Sequence, residues 1–255
     1  MVEDQVLLID KPADMTSFGV VARLRRVLSK QLGKKVKVGH TGTLDPFATG
    51  LMIIVTGKEC KNAGHYTKLD KTYEATIRLG ESSTTGDPEG EITTYHDDAS
   101  QSFPQKRLRS GSQIDSPSLE TRAADVSAET IAHRPTINEV TSVLHKFTGE
   151  IQQRPPIFSA IKIDGQRAYK LARDGKEIEL PLRTITIHSL ELLSYDYPEL
   201  RIRTHVSSGT YIRSLAVDIG SALGTHAYCS ELRRMTVGEY TIDNAHTLNE
   251  FGITD

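Results

Sequence analysis

Asp45 is the residue whose setting most invites chemistry. It sits in Gly39-His-Thr-Gly-Thr-Leu-Asp-Pro-Phe-Ala-Thr-Gly50, where glycines and a proline dictate a structured loop. The following Pro46 biases its backbone toward extended geometry. A carboxylate at the tip of a rigid loop can attack a sugar carbon or an electrophilic base; the competing role is to accept hydrogen bonds from its own loop amides. Arg213 falls in the first turn of a helix expected over residues 210–224. The helix dipole repels a cation there, so Arg213 calls for an anion nearby. A buried Asp–Arg pair would fix a carboxylate and keep it ionised; otherwise the guanidinium reaches solvent or binds phosphate. Tyr73 lies on the apolar face of an expected strand, either as a core ring or as one stacked on a nucleobase with its hydroxyl set for proton transfer. His40, flanked by Gly39 and Thr41-Gly42, is accessible for stacking or is structural. The nine histidines show no HExxH or Cys/His ligand spacing, which argues against a metal site. Gly57-Lys58-Glu59 lacks the Ser or Thr and the upstream glycine of a phosphate loop, and no GxGxxG occurs, so nucleotide-cofactor chemistry has no support.

The elements that must hold these groups are legible from periodicity. Residues 6–9 read as a short buried strand ended by a turn at Asp10-Lys11-Pro12. Thr16 or Ser17 caps a helix whose stripe is Val20, Val21, Leu24, Val27 and Leu28, leaving Arg23, Arg26 and Lys30 facing outward. The apolar run 51–55 is a buried strand or a helix start, which periodicity does not separate. Residues 71–80 alternate, with Tyr73, Ala75, Ile77 and Leu79 on one side. Thr136-x-x-Glu139 is a capping box opening a helix over 136–149, with Ile137, Val140, Leu144 and Phe147 inward and Gly149 as its stop. Residues 183–193 and 200–206 read as strands, and Ile212, Leu215, Ala216, Ile219 and Leu223 form the inner stripe of the helix carrying Arg213. Strands and helices mixed without regular βαβ alternation predict an α+β fold. Residues 98–134, rich in Ser, Gln, Arg and Asp, cannot bury enough apolar surface to offset their ordering entropy, and a mobile insertion is expected there.

Bulk properties bound the function. A 255-residue chain with 37% hydrophobic and 25% charged residues has the composition of a soluble globular protein. The longest apolar run, 51–55, is far too short to span a bilayer, and the N-terminus carries no secretory pattern. Cys60 and Cys229 show no CxxC or disulfide-like spacing, which fits a reducing cytosol. The net charge of −2 hides a segregation: seven basic residues and no acid lie between Ala22 and Val38, and six acids without Lys or Arg lie in 81–100. A basic patch attracts a polyanion whatever the total, although charge alone fits a solvated helix face as well.

Taken in order, six blocks resemble the TruB family of tRNA pseudouridine synthases: Leu7-Leu-Ile-Asp-Lys-Pro12 with Met15-Thr-Ser17; the Gly39–Gly50 loop; Asp70-Lys-Thr-Tyr-Glu-Ala-Thr-Ile-Arg-Leu-Gly80; Gly149-Glu-Ile-Gln-Gln-Arg-Pro-Pro-Ile-Phe-Ser-Ala-Ile-Lys162 with 165–173; Ser208-Gly-Thr-Tyr-Ile-Arg-Ser-Leu-Ala216; and Leu232-Arg-Arg234. The resemblance covers nearly the whole chain apart from the polar insertion. It implies a pseudouridine-synthase-type mixed, largely antiparallel sheet flanked by helices and loops, with a catalytic domain over 1–240, an RNA-clasping segment over 149–175 and a short extension over 241–255 in place of a PUA-type domain. It also implies that Asp45 is the nucleophile, Tyr73 stacks on the flipped uracil and aids deprotonation, and Arg213 pairs with Asp45. Leu232 would pack on the target base and His40 near the space it leaves, while Lys11, Lys162 and the basic helix would meet RNA. The implied substrate is uridine in the tRNA T arm, position 55 by analogy, handled by a cytoplasmic monomer with neither metal nor coenzyme. Phe158 stands where the family usually has Tyr, and Ser208 where Lys is common. A tRNA-folding chaperone, a synthase for another RNA site and a guide-RNA-dependent relative are the alternatives.

Overall fold

The run at 51–55 becomes a strand because it is covered on both faces. In the computed structural model, which describes residues 4–95, 133–159, 162–163, 166–167 and 180–254, Met52 and Ile54 point into the main core. Leu51, Ile53 and Val55 face a second cluster with Tyr66 and Val237. A strand buried on both sides loses its alternation, hence the continuous apolar text.

In chain order the elements are β1 (Val6–Lys11), α1 (Ser17–Gln31), β2 (Val38–His40), β3 (Thr49–Thr56), α2 (Ala63–Thr67), β4 (Lys71–Leu79), β5 (Glu81–Ser83), β6 (Ile92–Thr94), α3 (Ile137–Lys146), β7 (Gly149–Gln153), β8 (Lys162–Ile163), β9 (Gln166–Arg167), β10 (Arg183–Asp196), β11 (Glu199–Val206), α4 (Ile212–Ala222), β12 (Ala227–Val237) and β13 (Tyr240–Thr241). The main sheet runs β1-β3-β12-β4-β11-β10-β7, with β2 added to β3 and β13 to β12. Its pairings are antiparallel except where β12 meets β3. The fold is α+β, as the mixed pattern predicts. Among the described residues no helix is long and apolar enough to cross a membrane.

Local chemistry sets the boundaries. Thr16 caps α1 by accepting from the Gly19 amide, and Val20, Val21, Leu24 and Leu28 are its buried stripe. The Thr136–Glu139 capping box opens α3. That helix ends earlier than expected, at Lys146, and Gly149 begins β7 with φ 107°. Ile137 is exposed and Val143 takes the inward place instead. On α4 all five expected positions are buried. Strand β1 runs through Asp10 and Lys11, which pair with Leu51 and Gly50 rather than turning. Beyond β13 the chain returns to the body: His246 exchanges backbone bonds with Leu8 and Asp10, and Leu248 and Ile253 are buried in the main core. The expected insertion at 98–134 lies almost wholly outside the described residues, as does much of the segment 149–175.

Candidate active site

The loop carrying Asp45 is fastened from below by three side chains. The Ser17 hydroxyl, buried at the start of α1, donates to the Leu44 carbonyl and accepts from the Leu44 amide, both at 2.8 Å. The buried Arg234 on β12 donates from Nε to the Leu51 carbonyl at 2.7 Å and from Nη2 to the Gly42 carbonyl at 3.2 Å. Lys11 is fully enclosed, and its ammonium donates to the carbonyls of Pro12, Met15 and Pro46 at 2.7, 2.6 and 2.9 Å. This corrects the expectation that Lys11 meets an RNA phosphate: its charge is spent inside the protein, on two carbonyls of the 12–15 turn and on the Pro46 carbonyl just after Asp45. Burial pulls the Lys11 ammonium down to about 8.

At the far end of the loop Gly50 is required by a close approach. Its φ is +103°, and a Cβ there would stand 2.4 Å from the Arg234 carbonyl oxygen. Only glycine allows β3 to meet β12 at this register, which brings the Asp45 loop against the strand carrying Leu232.

Arg213 arrives from the start of α4. The helix has no side-chain cap at Tyr211; the buried Gln153 of β7 supplies one, accepting from the Tyr211 amide at 2.8 Å and donating to its carbonyl at 3.0 Å. Arg213 Nε lies 2.9 Å from Asp45 Oδ2, an ion-pair contact in which the Nε hydrogen is not aimed at that oxygen. Nη1 donates to Asp87 Oδ2 at 2.9 Å and to the Thr85 carbonyl at 3.0 Å, and Nη2 to the Phe158 carbonyl at 2.8 Å. Both the Arg213 and Asp87 side chains are 4% exposed, whereas Asp45 keeps 33%. Burial raises the pKa of Asp45 and so disfavours its ionised form; Arg213 opposes that rise and the nearby Asp87 adds to it.

Asp87 was missed in the sequence, counted only within the acidic stretch. Its signal was the one that marks Asp45: an aspartate before proline in a glycine-bearing turn, Gly86-Asp-Pro88. Besides Arg213, it accepts from the Thr85 hydroxyl at 2.5 Å and the Glu89 amide at 3.1 Å.

Asp45, Tyr73, Arg213 and Leu232 line one cavity of about 280 Å³. Lys71, Tyr211 and Arg234 complete much of its wall. Tyr73 is 8% exposed and enters from β4 next to β12. Lys71 donates to the carbonyls of Thr67 and Leu69, and burial brings it down to about 8. His40 pairs with Ile54 at the edge of the sheet and is not among the lining residues. Lys162 lies on β8, paired with Arg167. The cavity therefore joins an anchored carboxylate, an aromatic floor and buried cations, an arrangement able to hold a planar ring against a nucleophile.

Known proteins share this architecture and this text. The chain matches the profile described as TruB family pseudouridylate synthase (N terminal domain) over residues 25–113 and 111–212. It matches the tRNA pseudouridylate synthase B C-terminal domain over 213–253. The chain belongs to the TruB family. Among its relatives, tRNA pseudouridine synthase B of Parabacteroides distasonis is 41% identical over 94% of this chain and 88% of its own length. The protein of the same name from Phocaeicola vulgatus is 40% identical over 98% and 92%. In three dimensions the chain resembles one in the crystal structure of a Cbf5-Nop10-Gar1 complex, with a TM-score of 0.61 and 26% identity over 97% of this chain; it spans about half of that longer protein, 53%.

Proposed function

We propose that this protein converts uridine to pseudouridine in tRNA, in the T loop and at position 55 by family analogy, acting as a cytoplasmic monomer. The observation that carries the proposal is the shared cavity of Asp45, Tyr73, Arg213 and Leu232. The reaction breaks the bond from C1′ to N1, rotates the base and forms a bond from C1′ to C5. N1 gains a proton and C5 loses one, so substrate and product are isomers and no oxidant or energy source enters the balance. Asp45 is the nucleophile, toward either the sugar or the ring, and covalent capture divides one difficult exchange into two easier ones. Arg213 orients its carboxylate and favours the ionised form against the burial that opposes it. Tyr73 and Leu232 hold the everted uracil from the sheet side, with the Tyr73 hydroxyl as the group to manage the C5 proton. Extruding the base costs a few kcal/mol, which stacking here and phosphate contacts elsewhere must offset.

The test is conversion of tRNA, mapped by chemical reverse-transcription stops, by wild type and Asp45→Asn side by side. The variant should yield no pseudouridine yet bind tRNA within severalfold of wild type. Undiminished turnover by the variant would remove Asp45 from the chemistry, and modification elsewhere than the T loop would reassign the substrate.

A further inference from the structure

On the opposite side of the sheet from the cavity, three potential metal ligands meet. Along β4 the inward positions are Lys71, Tyr73, Ala75 and Ile77; along β11 they are Leu200, Ile202, Thr204 and Val206. Asp70, just before β4, and His205 of β11 therefore belong to the outer face. His188 follows the inward Ile187 and so lies on that face too, at a bulge where the register of β10 against β11 shifts between Ile187 and Ser189 and leaves His188 as the extra residue. The result is a His188–His205 ring pair with centroids 4.7 Å apart and a His188 Nε2 only 3.0 Å from Asp70 Oδ2. One donor atom from each of Asp70, His188 and His205 lies within 4.8 Å of the others.

An Asp–His pair needs only two partners. The third group here is a second imidazole, packed against the first where two protonated rings would repel. Two imidazoles and one carboxylate suit a borderline cation of the zinc, cobalt or nickel type, whereas magnesium and calcium demand an all-oxygen shell. Bonds of about 2.0–2.2 Å to zinc set neighbouring ligands roughly 3 Å apart, as His188 and Asp70 already are. Their side chains, 37% and 43% exposed, have room to draw in toward His205. The two histidines come from consecutive paired strands and Asp70 from a segment distant in sequence, which is why no spacing motif announced them.

We infer that Asp70, His188 and His205 form a binding site for a divalent transition-metal ion, open to water at its remaining positions. A bound ion ties β10 and β11 to the start of β4, the strand that delivers Tyr73.

The experiment uses the tag-free full chain, with Zn²⁺ and Co²⁺ as probes and Mg²⁺ as control. Wild type takes up one equivalent of Co²⁺ with the visible absorption of a nitrogen-ligated ion. Its unfolding midpoint rises by about 5 °C at a hundredfold excess of Zn²⁺ over the dissociation constant, and Mg²⁺ leaves it unchanged. His188→Ala and His205→Ala each weaken binding by roughly tenfold to a hundredfold and lose the shift, while unfolding as wild type does without metal. Should either variant misfold, His205→Gln and Asp70→Asn take its place with the same expected loss. Absence of a Zn²⁺-dependent shift in wild type, or equal uptake by wild type and variants, overturns the site.

Discussion

Asp87 and Arg213 form an ion pair of 2.9 Å in which each side chain is 4% exposed, so the cation that meets Asp45 is itself held by a second, deeper carboxylate. Removing one member of a buried pair strands the other's charge and typically costs about 3–5 kcal/mol; an isosteric amide, which keeps one acceptor, costs about 1–3 kcal/mol. Asp87→Asn should therefore fold with reduced stability. It should lower kcat about tenfold to a hundredfold through a misplaced Arg213 while leaving tRNA affinity near wild type. Denaturant unfolding and single-turnover kinetics measure the two effects, and an unchanged kcat would confine Asp87 to a structural role.

The same pair sets a pH dependence. As the proposed nucleophile Asp45 must be ionised to attack, and burial raises its pKa above the ordinary aspartate value, with Asp87 adding to the rise. Activity should fall as pH drops through that raised value. In Asp87→Asn one opposing negative charge is gone, so the acid limb should move to lower pH. A limb that stays in place or moves to higher pH would show that Arg213 leaves Asp45 when Asp87 is lost.

Lys11 gives a separate prediction because its ammonium faces three carbonyls and no solvent. Lys11→Met should leave those oxygens unsatisfied and destabilise the protein by about 2–4 kcal/mol. The dependence of tRNA affinity on salt should keep its slope, whereas loss of one phosphate contact would reduce that slope by about 0.7–0.9.

How far the text disclosed this arrangement depended on how ordinary each local environment was. β4 and α4 announced themselves because each buries one face, so Tyr73 and Arg213 were placed correctly on their elements. β12 was not recognised as a strand although it lies between β3 and β4. Glu231, Arg233 and Arg234 interrupt its apolar pattern, and register shifts at Cys229/Glu231 and Arg234/Thr236 break its alternation. Arg234 is tolerated inside only because backbone carbonyls receive its donors. Lys11 misled for the same reason: a lysine reads as surface, and nothing local reveals three oxygens converging from two segments. The Asp45–Arg213 contact was within reach because a cation at a helix start needs an anion, but that logic does not say how many, and Asp87 went unseen.

Gly50→Ala tests the close approach of β3 to β12. A methyl group there would need to displace the Arg234 backbone, with a left-handed φ unsuited to alanine. Strain of about 3 kcal/mol or more is expected, together with loss of activity as the Asp45 loop shifts. Full stability and turnover in the variant would mean that the two strands separate without consequence for the site.

Asp218 on α4 provides a stability prediction with a defined pH window. Burial alone pushes its carboxyl up to about 6 from the ordinary 3.8. A raised acid means that the folded state binds more protons than the unfolded chain between about pH 4 and 6, so this group's contribution to stability declines as pH rises through that window. Asp218→Asn removes the cost of burying an ionised carboxylate. Allowing for its residual exposure, the gain over wild type should be near zero at pH 4 and about 1–2 kcal/mol at pH 7. Urea unfolding at the two pH values measures the difference, and a gain that is the same at both would show that Asp218 keeps an unshifted carboxyl in the folded protein.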